Sequence, residues 1–264
     1  MSSLCCSIRR HTLACWLLWT LAGVSGIHLA RAEEPTDKTR EEPRVVNQHT
    51  RAFKISIDGT ERGTLTMLLR KHEDGIETMR GQAELSFNFV VYKYRYSSSG
   101  TEVWKSGRLL RLANEADYNG DKYVVQASAQ QQDLAIEVNG ESQRTAADVW
   151  VTSYWREPEP HKVGQKLALF EADKGRKLSG TLQRVGKEQL ALEKKMVNAT
   201  RYQIRGDVEV DLWYDEDQRL MRQHSVESGH RALFELIQID RRETSLPKPP
   251  QPKSPNTGEP SKTR

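Results

Sequence analysis

The chain contains no cysteine after residue 15. Its three cysteines are Cys5, Cys6 and Cys15, which all lie close to the N-terminus. The remainder of the chain therefore cannot form a disulfide, a thiol nucleophile or a cysteine-ligated zinc or iron–sulfur site. A domain without these supports must obtain its stability from a buried hydrophobic core.

The sequence also has little that could cross a membrane. The most apolar stretch, 13–24, has 12 residues, whereas a membrane-spanning helix needs about 20. Arg9 and Arg10 precede this stretch, and a small-x-small site, Ala30-Arg31-Ala32, follows it. The pattern predicts a cleaved signal peptide over 1–32. We therefore expect an exported protein of the periplasm or cell envelope, with no transmembrane span after signal removal.

The chain has almost no excess charge of either sign. It contains 40 basic and 36 acidic residues, and three of the basic residues belong to the predicted signal peptide. Removing them leaves 37 basic and 36 acidic residues, which is a net charge of +1. Such a balance creates no long-range field for a polyanion, so we predict that nucleic acid is not a partner.

Signatures of catalysis are missing as well. The sequence has no Gly-rich nucleotide loop, no Gly-x-Ser-x-Gly elbow and no closely spaced histidine pair. We therefore predict no catalytic residue, no cofactor and no metal site. One alternative stays open, because the carboxylates Glu209, Asp211, Asp215 and Asp217 follow one strand and its turn. A carboxylate-based hydrolase would need two such groups facing each other across a cleft, whereas alternation places Glu209 and Asp211 on a solvated face.

The pattern that dominates the sequence is alternation with a period of two. Phe53, Ile55 and Ile57 alternate with polar residues and lead into Asp58-Gly59, and a later run leads into Asn139-Gly140. Alternation indicates strands with one buried face, and these dipeptides are typical of hairpin turns. A change of phase at 90–91 suggests a bulge or a sharp bend. The prediction is an all-β fold, an antiparallel meander forming a curved sheet, half-barrel or barrel with little helix.

Composition divides the chain into four parts. After the signal peptide, 33–44 is a charged leader, and 45–243 is long enough for a single β domain with a sizeable core. The last part, 244–264, is rich in proline, with five prolines between Pro247 and Pro255. Because proline lacks an amide donor and has a fixed φ, this end is predicted to be a disordered tail.

Four stretches of the β domain resemble a family of exported, β-rich bacterial proteins known as a domain of unknown function. They are Tyr92-Lys93-Tyr94-Arg95-Tyr96, Glu102-Val103-Trp104-Lys105-Ser106-Gly107-Arg108-Leu109, Thr152-Ser153-Tyr154-Trp155, and Val210-Asp211-Leu212-Trp213-Tyr214-Asp215. The resemblance covers most of 50–240 and implies a curved antiparallel sheet in the cell envelope, without an assigned activity. The chain departs from the family at Arg156-Glu157-Pro158, where Asn-Pro is common.

The aromatic residues are the main clue to function. Four tryptophans and all eight tyrosines lie after the predicted signal peptide. Trp104, Tyr154, Trp155 and Trp213 belong to the motifs and are the candidate ligand-lining residues, although such rings also fill ordinary cores. The first hypothesis is a non-enzymatic protein that binds an apolar small molecule or lipid within a curved sheet. The alternatives are a structural or interaction component that contacts another envelope protein, and the hydrolase described above.

Overall fold

The computed structural model describes residues 43–242, with the exception of 90–91, 193–194 and 228. The predicted signal peptide, the leader up to residue 42 and the Pro-rich tail lie outside the described residues. In the described part, the only helical segment is a three-residue 3-10 turn at Pro160–Lys162. No helix there is long and apolar enough to cross a membrane.

The remaining regular structure consists of β-strands. They are β1 (Val45–Ile57), β2 (Thr60–His72), β3 (Ile76–Phe89), β4 (Tyr92–Lys105), β5 (Arg108–Tyr118), β6 (Asp121–Gln130), β7 (Asp133–Val138), β8 (Glu141–Ala146), β9 (Trp150–Val151), β10 (Lys166–Phe170), β11 (Lys177–Leu192), β12 (Lys195–Gly206), β13 (Glu209–Tyr214), β14 (Leu220–Glu227) and β15 (His230–Arg242).

All of these strands belong to one sheet, in the order β8-β7-β6-β5-β4-β3-β2-β1-β15-β14-β13-β12-β11-β10-β9. The first strand pairs with the last, and from this pair a meander extends in each direction. Every pair is antiparallel except β9 with β10, because the chain passes through a long connection before β10 and returns in the same direction. The predicted all-β fold with an antiparallel meander is therefore confirmed.

The sheet must be strongly curved. β8 and β9 lie at its two opposite edges, yet only residues 147–149 separate them in the chain. Four Cα–Cα steps span at most about 15 Å, whereas fourteen strand spacings of about 4.8 Å would make a flat sheet roughly 67 Å wide. The sheet therefore curls until its edges approach each other. In the described residues β8 and β9 are not paired, so the sheet is not closed into a barrel.

A turn, instead of paired strands, connects the two edges of the sheet. We call the gap between the edge strands β8 and β9 the seam. This turn, residues 171–176, connects β10 to β11, and its Gly175 carbonyl accepts a hydrogen bond of 2.8 Å from Gln143 Nε2 on β8. Gly175 is buried and has φ +65°, and a Cβ there would lie 2.3 Å from Val138 Cγ2. The close approach of the turn to β7 therefore depends on glycine.

Short turns with positive φ angles connect many of the strands. Asp58-Gly59, Ser106-Gly107, Asn119-Gly120 and Asn139-Gly140 each have two successive positive φ angles, as tight hairpins require. The change of phase at 90–91 lies outside the described residues, but Phe89 pairs with Tyr92 on either side of it. The interpretation of this run as one bulged or bent strand was therefore wrong, because it consists of two strands of a hairpin.

The core lies on the inner, concave face of the sheet. Phe53, at its centre, pairs with Leu65 on β2 and with Leu236 on β15, and it has no exposed surface. Alternation from these positions places Tyr96, Ser98, Asn114 and their counterparts on the same inner face.

Candidate functional site

Part of the space enclosed by the curved sheet is filled by the chain itself. Residues 152–156, called here the inner segment, follow β9 and lie against the inner face. Tyr154 is 3% exposed, and its ring packs edge-on against Trp150 with 5.3 Å between the ring centroids. Its φ of +50° is unusual for a tyrosine. The Tyr214 hydroxyl on β13 donates a hydrogen bond of 2.7 Å to the Tyr154 carbonyl and holds this backbone in place.

Glu102 fastens the inner segment to β4. Its carboxylate is 2% exposed and accepts hydrogen bonds from the indole nitrogens of Trp104 at 2.7 Å and Trp155 at 2.9 Å. The Ser153 hydroxyl is a third partner. Burial raises the pKa of Glu102 above its ordinary value, although the three hydrogen bonds favour the charged form and partly oppose this rise. The carboxyl group thus joins a strand and a loop that are distant in the sequence.

Arg156 covers both indoles. Its guanidinium carbon lies 5.1 Å from the Trp104 ring centroid and 5.2 Å from that of Trp155. The same guanidinium forms an ion pair with Glu77 on β3. A cation close to two indole rings is stabilised by their quadrupoles. Arg156, which stands where the family resemblance led us to expect Asn-Pro, therefore contributes a specific contact of its own.

A second arginine binds the inner segment from β1. Arg51 is 4% exposed, and its Nη1 donates a hydrogen bond of 3.2 Å to the Trp155 carbonyl. Burial lowers the pKa of Arg51 to about 10, while the negative charge of Asp215 opposes this change. The side chain remains charged at neutral pH, so it supplies a strong donor to an otherwise buried carbonyl group.

Three of the four candidate residues are therefore brought together. Trp104 and Trp155 share the Glu102 carboxylate, and Tyr154 lies between them and β13. All three are at least nine-tenths buried and belong to the core cluster. The polar groups around Glu102 hydrogen-bond to one another, so this arrangement stabilises the position of the inner segment on β4. A ligand-lining role for these residues stays a prediction.

Trp213 does not join this group, because it lies on the outer face of β13. The Arg201 and Arg222 guanidiniums lie 5.1 and 5.8 Å from its ring centroid. Its indole nitrogen donates to Glu188 on β11. The Arg222 side chain also donates to the Ala191 carbonyl, which brings the far end of β11 against the outer face. The burial of Trp213 thus comes from a small outer cluster.

The carboxylates of β13 have structural partners. Asp211 is 7% exposed and accepts hydrogen bonds from Arg201 at 2.8 Å and Arg205 at 2.7 Å. The expectation that Asp211 lies on a solvated face was therefore wrong, because these arginines cover it. Asp215 binds Arg219 and two backbone amides of its own turn. Within the described residues no group of three His, Cys, Asp or Glu could hold a metal ion.

A second part of the inner face, which was not among the predicted site residues, lies at the C-terminal ends of β3 and β5 and the N-terminal ends of β4 and β6. It carries half-buried aromatic rings from four neighbouring strands: Phe87, Tyr94, Tyr96, Tyr118 and Tyr123. Successive centroids lie 4.9 Å apart for Phe87 and Tyr94, 4.8 Å for Tyr96 and Tyr118, and 6.0 Å for Tyr118 and Tyr123. We call these five residues the aromatic row. Alternation within β3 and β4 was the signal that could have indicated it.

A groove adjoins the aromatic row. Its volume is about 1030 Å³, and besides Tyr96 its lining includes Lys93, Arg95, Glu84 and Asp117, which alternation places on the outer face of the sheet. The Arg62 guanidinium lies 5.8 Å from the Phe87 ring centroid. The groove therefore carries charges of both signs, and most of its lining lies on the opposite face from the rings of the row.

Comparisons with known proteins identify a family but no activity. Among solved structures, the chain is similar to a beta-barrel-like protein of domain of unknown function DUF1849 from Brucella abortus, with a TM-score of 0.56 and 9% identity. That similarity covers 76% of this chain and 100% of the other, and at this identity it supports the fold alone. No curated protein matches the chain. A family profile described as "Domain of unknown function (DUF6134)" matches residues 53–237, and the chain therefore belongs to this family.

Proposed function

We propose that this protein is exported to the cell envelope and binds an apolar or amphipathic ligand on the aromatic row of its incompletely closed barrel. The observation that supports this most directly is the contrast between the two parts of the inner face. Around the inner segment the rings of Trp104, Tyr154 and Trp155 are buried, whereas the five rings of the aromatic row are only half-buried. Half-buried aromatic rings on a concave surface supply large contact areas for a ligand.

The arrangement of the row favours an extended ligand. Its rings belong to adjacent strands, and Tyr94 and Tyr96 are two residues apart on the same face of β4. Such a spacing is about 7 Å along a strand, so a chain of several methylene groups could contact successive rings. Each buried methylene group contributes about 0.8 kcal/mol to transfer from water. A long acyl or alkyl chain is therefore the class of ligand that fits best.

Native mass spectrometry tests the proposal. The mature protein, purified from its own envelope without detergent, is expected to carry an extra mass that dissociates on denaturation. Hexadecanol should bind to the delipidated protein, and the Tyr123→Ala variant should bind it about tenfold more weakly, because one ring of the row is lost.

The adjacent Val124→Ala variant is a matched control. Val124 is 43% exposed and points to the opposite face of β6. If neither a co-purified ligand nor hexadecanol binding is detected with folded protein, the proposed function is wrong. Equal losses in the two variants would show that the ligand does not bind on the aromatic row.

A further inference from the structure

The turn that bridges the seam places a carboxylate on the inner face of the sheet. Asp173 Oδ2 accepts hydrogen bonds from the Tyr96 and Tyr118 hydroxyls at 2.6 and 2.9 Å. Its Oδ1 accepts from Ser98 Oγ at 2.8 Å and from Asn114 Nδ2 at 2.9 Å. All four donors belong to β4 and β5, and we call them the carboxylate cradle. They satisfy both oxygens of one carboxylate.

The cradle is built into the sheet and does not depend on the turn for its shape. Tyr96 pairs directly with Tyr118, and Gly100 pairs with Asn114. A Cβ at Gly100 would lie 2.1 Å from Asn114 Oδ1, so this glycine makes room for the amide. Ser98 Oγ also lies 3.2 Å from Asn114 Oδ1, a longer alternative to its 2.8 Å contact with Asp173, because the hydroxyl has one hydrogen to donate. The donors are thus oriented by β4 and β5 themselves.

Every donor of the cradle is uncharged. Burial, and then the charge of Asp173, raise the pKa of Tyr96 and of Tyr118, so both hydroxyls keep their protons and act as donors. A cation does lie nearby on the same turn, because Lys174 Nζ is 4.2 Å from the Tyr118 ring centroid. If the turn moved away, its own charges would leave with it. Four neutral donors would then remain, and two of them, Tyr96 and Tyr118, are rings of the aromatic row.

The turn also brings carboxylates close to one another. Three causes raise the pKa of Glu227 on β14. Partial loss of hydration is the largest, although the side chain keeps some contact with solvent, and the charges of Glu171 and Asp173 follow. This repulsion opposes the docked position of the turn, whereas the hydrogen bonds of the cradle favour it. A carboxylate from another molecule could replace Asp173 without bringing Glu171 along.

We propose that the carboxylate cradle is the binding site for the head group of a long-chain carboxylic acid, and that Asp173 is a tethered occupant displaced by this ligand. The inference rests on the proposed function and adds the chemical class of the ligand. The alkyl chain would start at Tyr96 and Tyr118 and continue along Tyr94 and Phe87. The turn then competes with the ligand for the same donors, which lowers the apparent affinity of the intact protein.

Palmitate and methyl palmitate are the probes, and the full mature protein is used throughout. The Asp173→Ala variant lacks the tethered carboxylate and is expected to bind palmitate about tenfold more tightly than the wild type, with unchanged binding of methyl palmitate. Adding Tyr96→Phe and Tyr118→Phe to this variant removes two donors and should abolish the gain for palmitate alone. Asp207→Ala is the matched control, because Asp207 is an exposed carboxylate that binds Ser179 and not the cradle.

The outcomes separate the two proposals. Tighter binding of palmitate by a folded Asp173→Ala variant supports the cradle as a carboxylate site. Unchanged or weaker binding overturns it and leaves Asp173 as a structural link, even when methyl palmitate still binds to the aromatic row. If neither probe binds to any folded variant, the proposed function fails together with the inference.

The Asp173→Asn variant covers the case in which alanine prevents folding. It keeps the size of the side chain but presents an amide, which is a poorer acceptor for the four donors. It is expected to shift palmitate binding in the same direction, and a folded Asp173→Asn protein without that shift would count against displacement.

Discussion

Replacing Glu102 is the sharpest test of how the inner segment is held. Glu102→Ala removes the acceptor for the Trp104 and Trp155 indole nitrogens, which lie 2.7 and 2.9 Å from its carboxylate. Each buried donor left without a partner costs about 1–3 kcal/mol, while removing a buried carboxyl group offsets part of this loss. We expect the free energy of unfolding to fall by about 2–4 kcal/mol.

Comparing the wild type with Glu102→Gln tests the pH dependence of stability that Glu102 causes. Burial raises the pKa of Glu102 above its ordinary value of 4.5. The folded state therefore favours the protonated form, and the corresponding stability is complete below pH 4.5 and is lost as the pH rises through the raised pKa. Glutamine does not titrate. The stability of the wild type relative to Glu102→Gln should therefore decrease from acid to neutral pH.

Urea unfolding followed by tryptophan fluorescence measures both effects, because two of the indoles report on the site directly. Glu188→Gln is the control, since Glu188 also accepts an indole hydrogen bond but lies on the outer face with 40% of its side chain exposed. It should change stability by less than about 1 kcal/mol. A Glu102→Ala variant as stable as the wild type would refute the claim that Glu102 stabilises the inner segment. A difference between the wild type and Glu102→Gln that stays constant with pH would refute the raised pKa.

Three further changes have defined outcomes. Tyr214→Phe leaves the buried Tyr154 carbonyl without its 2.7 Å partner, and thermal or urea unfolding should show a loss of about 1–2 kcal/mol. Gly175→Ala, where a Cβ would lie 2.3 Å from Val138 Cγ2 at φ +65°, should destabilise the protein by about 1–3 kcal/mol and increase proteolysis of the turn. Burial and the charges of three nearby arginines lower the pKa of His49 from 6.5 to about 4. Its stabilising effect is therefore complete above pH 6.5 and is lost as the pH falls through about 4, so His49→Gln should remove about 1–2 kcal/mol of acid sensitivity in urea titrations.

The parts of the fold that depend on residues close together in the sequence could be predicted from it. Asp58-Gly59 and Asn139-Gly140 determine their turns through local backbone chemistry, and alternation determines which side chains share a face. The pairing of β1 with β15 could not be predicted, because it joins the two ends of the domain and no local pattern specifies it. The same limit applies to Trp104 and Trp155, whose common partner is Glu102.

The choice of site residues had a different limitation. Trp213 was grouped with Trp104 and Trp155 because all three belong to distinctive motifs, yet alternation within β13 places it on the outer face. Grouping by face would have separated it and would have selected Tyr94 and Tyr96. Asp173 gave no signal at all, because a charged residue in a polar turn looks like any solvated loop until the opposite strands are known.

The position of β1 beside β15 has consequences for how the protein folds. A chain that emerges from its N-terminus can form β1 to β8 early, but β1 then presents an unpaired edge until the last strand is complete. Contacts of such large sequence separation fold slowly and leave this edge open to pairing with other chains. The adjacency also means that the two ends of the domain could be linked and new ends introduced at 147–149. A circular permutant of this kind would keep every strand pair while reversing the order in which the two halves are synthesised.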